Sequence, residues 1–547
     1  MFLKKKIYFN FITYIIFVIL FIIGFLTYKD YGIGIDDKFH RLNGFFWLDY
    51  LLSFSNFEVL KAEVKANLNN IKDFTLPSIK YYNNYSIIFD VPAAFLELIF
   101  QKENAKDFYE FKHLLNFCVF YTGCLFFYRI LRKRFNEAVS LLGICIFILS
   151  PRIYGESFYN MKDIIFLTFM TISYYYCLKT FENINYKNLF FLSLFSAICI
   201  QIRIIGVAIP LSFLVFYLLT ILAKRKEFKN IYKIIFFLFT TIFLTYILWP
   251  YLWLEPIENF FKSFKNIIPS LYIFFEGNYY NNNFLPISYL PIWILISTPV
   301  LHLTLFFIGF FFILKRIFQR LLEIKENSIT NDLWRGAKEK FDVFITLNFL
   351  VLFGLMVLLN IRLFNSWKHL YFLNFYFVYI STYFCYLFFI GKFSNIIKNF
   401  AFFSFMILSF LIIFRMTIYH PYQGLYFNFL ISDNYKNKFE VDFTSLSARH
   451  FFDKIFEIEK NKELITIATA SWTPLYRTLE IYSKDQKSRV KLVGQEYKKA
   501  KYIYTNNISE VDKNINDKYN IPSDFNKFYD LIIDGVIIYS IYKRSKN

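Results

Sequence analysis

Apolar runs long enough to approach a bilayer crossing recur along most of the chain, separated by short polar segments. A crossing helix needs roughly 20 apolar residues, and the runs that approach this are 7–28, 114–130, 138–150, 164–178, 189–202, 204–222, 234–249, 289–314, 343–359, 373–390 and 402–419. Only Arg203 separates the fifth from the sixth. Pro291 and Pro299 are expected to break the start of the eighth into an interfacial piece. The first run exceeds a signal-peptide core and lacks a small-residue cleavage pattern, so it is expected to stay as an anchor. The pattern predicts an α-helical polytopic membrane protein of about 11 transmembrane helices.

From Asp433 the pattern shortens. Residues 445–459 place Leu446, Phe451, Phe452, Ile455 and Phe456 on one helical face. Residues 464–468, 490–493 and 502–504 predict strands, and "YDLIIDGVIIYSIYK" predicts a hairpin turning at Asp534 and Gly535. The expected division is a membrane domain over 1–432, with a long first outward loop at 29–112, and a small soluble α/β domain over 433–547.

Charge gives the runs a direction. The chain of 547 residues carries a formal net charge of +20, and its basic clusters fall between apolar runs: Lys4 to Lys6, Arg132 to Arg134, Lys224 to Lys226, and Lys315 with Arg316. Basic clusters of this kind mark cytoplasmic loops and leave no nucleic-acid face. The N-terminus is thus expected in the cytoplasm and the C-terminal domain outside the plasma (inner) membrane. Phe and Tyr are abundant in membrane and soluble parts alike, so the 23% aromatic content does not by itself mark ligand sites. The six cysteines all fall in predicted spans, so no disulfide framework or thiolate metal site is expected.

Ionisable residues gather at the outward ends of the runs. "GIGIDDKFHRLNG" sets Asp36, Asp37, His40 and Arg41 just beyond the first span. Two adjacent carboxylates at a membrane face suit a general base or a metal site, and equally a solvated acidic pair capping a helix. Asp90 and Glu97 interrupt an apolar stretch, Arg152, Lys162 and Asp163 precede the fourth span, and Lys368 and His369 precede the tenth. Arg203 joins them at the turn between spans five and six. Basic groups facing an acidic pair suit a phosphate site beside a base, and each alone also suits interfacial anchoring. Asp163 has two further readings, as a partner of Lys162 or a cap of span four, and His40 could orient a carboxylate.

"GIDDKFH" resembles the first-loop Asp-Glu motif of the GT-C glycosyltransferases, in the branch of protein O-mannosyltransferases and lipid A aminoarabinose transferases (glycosyltransferase family 39). "YNMKD", "WPYLW", "LPISYLPIWILISTP", "WKHLYF" and "HPYQGLYFN" follow in the order of that family's recurrent segments. Two departures stand out. The pair is Asp-Asp, and "FDVPAAF" occupies the approximate place of a His-Pro-Pro-Leu type segment.

The resemblance implies a GT-C membrane fold and transfer of a hexose or pentose from a polyprenyl-phosphate donor to a protein hydroxyl or a glycolipid at the outer face. It implies Asp36 as the base of a single inverting displacement, with Asp37 beside it. Lys162, Arg152 and Arg203 are the candidates for the donor phosphate, and His40, Asp163, Lys368 and His369 for other substrate contacts. The leaving phosphate needs positive charge more than a proton. No protein metal site is expected, and the sequence does not decide whether a divalent ion takes part. The main rival, a transporter or flippase, would put ionisable groups near the bilayer midplane and repeat its halves. This chain does neither.

Overall fold

A computed structural model of the chain describes residues 2–71, 85–102, 104–223, 230–265, 269–322, 334–359, 361–461 and 463–545. The basic run Lys224 to Lys226 lies outside the described residues. Every predicted apolar run is helical. Among the described residues, nine helices are long and apolar enough to cross a membrane: Phe9–Thr27, Ala105–Arg134, Asp163–Glu182, Ile204–Ile221, Ile231–Leu248, Val300–Leu322, Gly336–Leu358, Leu373–Ile390 and Asn395–Ile418. The expectation of about 11 is met only by adding two that fall short. Helix Tyr186–Ile202 has 17 residues, and Glu137–Ile148 bends by 61° into Pro151–Tyr159.

That bend corrects the expected loop at "PRIYGESFYNMKD". Pro151 opens a second helix at its first turn, where a missing N–H costs nothing. In the eighth run the break falls at Thr298 and Pro299, between Tyr289–Ser297 and Val300–Leu322. Pro291 does not break it, because it sits in the first turn of its helix.

The described residues of the loop after the first span form helices Asp37–Leu52, Glu58–Ile71 and Asp90–Ile99. Gly44 lets the first and third approach closely, since a Cβ there would stand 2.3 Å from the Asp90 carbonyl oxygen. Arg41 spans the same contact, donating to Glu97 Oε1 from Nε at 2.9 Å and from Nη2 at 2.6 Å.

At the end of the bundle remote from that loop, Asp342 has no exposed surface and accepts four hydrogen bonds. Arg134 gives two, at 2.8 and 2.7 Å, Arg316 one at 2.9 Å, and the Tyr379 hydroxyl one at 2.6 Å. The cluster ties Ala105–Arg134, Val300–Leu322, Gly336–Leu358 and Leu373–Ile390 together.

Strands β1 (Tyr272–Phe275) and β2 (Asn278–Asn281) form a hairpin after Ile231–Leu248. The C-terminal sheet contains β3 (Ile465–Thr469), β4 (Val490–Leu492), β5 (Tyr502–Thr505), β6 (Phe525–Ile533) and β7 (Val536–Arg544) in the order β4-β3-β5-β7-β6. The first three are parallel and the last two antiparallel. Helix Ser447–Ile458 covers the sheet with Phe451, Phe452 and Ile455 buried. The predicted turn is present, with φ of 50° at Asp534 and 76° at Gly535. Its carboxylate accepts from Tyr419 at 2.7 Å, from Lys436 at 2.9 Å and from Arg415, fastening the hairpin to the last long helix.

Candidate active site

Most of the ionisable residues singled out in the sequence line one cavity of about 140 Å³: Asp36, Asp37, His40, Lys162, Asp163, Arg203, Lys368 and His369. Four elements deliver them: the turn into Asp37–Leu52, the start of Asp163–Glu182, the end of Tyr186–Ile202 and the turn Lys368–Leu370.

The two aspartates sit in unlike environments. Asp36 precedes its helix with a side chain that is 61% exposed and makes no capping bond, 3.8 Å from Lys368 Nζ. Asp37 is buried, accepts from Gly34 N at 2.8 Å and lies 3.4 Å from His113 Nε2. Its other oxygen has no hydrogen-bond partner among the described residues. His40 turns its Nδ1 to Asp90 at 3.0 Å, and Asn43 donates to the same carboxylate oxygen at 2.7 Å. That buried pairing accounts for Asp90 in an apolar stretch, as Arg41 accounts for Glu97.

Asp163 is claimed by Arg203, neither by Lys162 nor by a cap, while Asn160 donates to it at 3.1 Å. The Arg203 Nε is buried and has no partner among the described residues. Lys162 is partly buried, with Nζ 4.0 Å from the Tyr85 ring centroid and no carboxylate in ion-pair range among the described residues. Burial, then the nearby Arg203, pushes its ammonium down to about 7. Burial also holds His369 well below the ordinary imidazole range, reinforced by Arg203, Lys368 and Lys162.

Arg152 does not line this cavity. It is buried, donates to the Tyr426 carbonyl at 3.0 Å and the Ser366 hydroxyl at 3.1 Å, and its guanidinium lies 5.1 Å from the Trp293 ring. Glu156 does line the cavity and was not singled out. It is buried and accepts from the Tyr371 hydroxyl at 2.8 Å and Asn160 at 2.7 Å. Its place in "PRIYGESFYNMKD", four residues before Asn160, was the available signal.

A second cavity of about 660 Å³ shares Ile35, Asp36, Tyr85, Lys162, Arg203, Phe364 and His369 with the first. Beyond them its walls are largely apolar, including Ile202, Ile204, Trp249, Met356, Leu370 and Phe372. A charged head and an apolar tail thus have adjoining spaces with Asp36 at their junction.

Among solved structures, ArnT from Cupriavidus metallidurans bound to undecaprenyl phosphate is 8% identical, with a TM-score of 0.48 and coverage of 97% of each chain. The same protein in the apo state is 9% identical, with a TM-score of 0.48 and coverage of 98% of each chain. No curated protein matches the sequence. The family described as dolichyl-phosphate-mannose-protein mannosyltransferase matches at residues 92–251, the segment that carries Arg152, Lys162, Asp163 and Arg203. Over residues 92–251 the chain is thus similar to this family of membrane glycosyltransferases, in line with the resemblance of its sequence segments.

Proposed function

We propose that the protein moves a sugar from a polyprenyl-phosphate donor to an acceptor hydroxyl at the outer membrane face, with Asp36 as base and inversion at the anomeric carbon. The observation that carries this reading is the position of Asp36, exposed where a charged cavity meets an apolar one. The apolar space suits a prenyl chain. Lys162, Arg203 and Lys368 suit a phosphate whose negative charge grows as the bond to the sugar breaks. Asp36 would take the acceptor's proton as the new bond forms, and the donor phosphate would leave as the anion without protonation.

The test supplies membranes containing the protein with radiolabelled polyprenyl-phosphate mannose, glucose and aminoarabinose. Label should pass to a membrane acceptor for one of them. Solute uptake into sealed vesicles without any transfer would favour the transporter instead. The sidedness proposed from the basic clusters requires an alkaline phosphatase fused after Asn547 to be active.

Lys162 ties donor use to pH. Its cationic form, the one that attracts phosphate, predominates below about 7. Donor kcat/KM is therefore expected to fall as pH rises through about 7. Lys162→Arg should remove that limb by staying charged, and Lys162→Met should lower donor use about tenfold or more, the worth of a charge-assisted hydrogen bond. A wild-type pH profile in both variants would remove Lys162 from the phosphate site.

A further inference from the structure

We propose that a third cavity, between the C-terminal sheet and the Asp36 loop, is the acceptor site and that it takes a glycan. This rests on the transferase reading and assigns that reaction its second substrate. The cavity measures about 460 Å³ and meets the first at Ile35, Asp36, Phe39 and Tyr85. It reaches Asp36 from the soluble domain, whereas the apolar cavity reaches it from among the spans.

Its walls come from the carboxyl ends of parallel strands. Residues 471–477 follow β3 and Gln495 follows β4. Strand β3 has β4 on one side and β5 on the other, so the chain leaves β3 for one neighbour and crosses back for the second. Open parallel sheets bind ligands in the crevice at such a switch point.

Ser471 supplies an independent sign of a ligand. It is 2% exposed, it lines the cavity, and its hydroxyl has no hydrogen-bond partner among the described residues. A buried polar group left without a partner is costly, and a ligand hydroxyl would satisfy it.

The lining fits a saccharide. Trp472, Tyr476 and Tyr519 offer ring surface for the C–H faces of sugars, and Ser471, Thr473 and Gln495 offer neutral donors and acceptors for hydroxyls. The cations at the wall are already engaged: Arg477 donates to the Ile35 carbonyl and the Tyr476 hydroxyl, and Lys518 pairs with Glu510. An extended peptide would add to a sheet edge, and no residue of edge strands β4 or β6 lines the cavity.

The test places the photocrosslinker p-benzoylphenylalanine at exposed Gln495 of the full chain, in membranes of cells producing it, with the same probe at exposed Lys484 as control. The expected adduct at 495 carries saccharide by mass spectrometry and is absent at 484. Acyl chains on it would identify a glycolipid as the source, and their absence a free or protein-linked glycan. A peptide-only adduct, equal adducts at both positions or none at 495 would overturn the site. Ser471→Leu, which fills the cavity, should raise the acceptor KM at least tenfold while sugar loss from the donor to water continues. Absence of any Asp36-dependent sugar release would count against the transferase reading. Release without a glycan adduct would count against this site alone.

Discussion

Asp36→Asn is expected to lower sugar transfer by roughly 100-fold or more while the protein accumulates normally. The substitution keeps the size of the side chain and one carbonyl oxygen, but an amide does not take up the acceptor's proton at neutral pH. A structural role would tolerate the change. Asp36 makes no capping bond and its side chain is 61% exposed, so the fold loses little when its charge is removed. Asp37→Asn is the useful contrast. Asp37 is buried against the Gly34 amide and His113, so its replacement should act mainly on the shape of the loop and reduce transfer less. Transfer at the wild-type rate by Asp36→Asn membranes would return Asp36 to the role of a solvated acidic residue.

The second large effect is expected on stability, at the other end of the bundle. Asp342→Ala should cost about 3–5 kcal/mol, because it leaves the buried Arg134 and the half-buried Arg316 beside each other with no counter-charge. The readout is the unfolding midpoint of the detergent-solubilised protein. The double variant Asp342→Leu with Arg134→Met should recover part of the loss, since one cation goes and packing is restored. An unchanged midpoint in Asp342→Ala would mean that the four helices are held by packing alone.

The helices were legible because hydrophobic period and length are local properties, and the hairpin at Asp534 and Gly535 because two positive φ angles demand such residues. The bent third span was not. Pro151 marks the start of a new helix as readily as the end of an old one, and only the burial of Arg152 among Trp293, Phe427 and the Tyr426 carbonyl shows which. The gathering of Lys162, Arg203 and Lys368 around Asp36 could be anticipated from the ends of spans. Which carboxylate pairs with which cation could not, since Asp163 prefers Arg203 to its chain neighbour for reasons of geometry alone. Ser471 was invisible because a lone polar residue gains meaning only from its surroundings.

The second half of the bent span, Pro151–Tyr159, is buried at all nine positions. A helix with no outward side contributes nothing to anchorage in lipid. It acts instead as a floor, with Glu156 beneath the charged cavity and Asn160 just past its end. Irregular and charged backbone is tolerated at membrane depth only where protein surrounds it. With such a floor, the charged cavity that holds Lys162 and Arg203 has protein rather than lipid on this side.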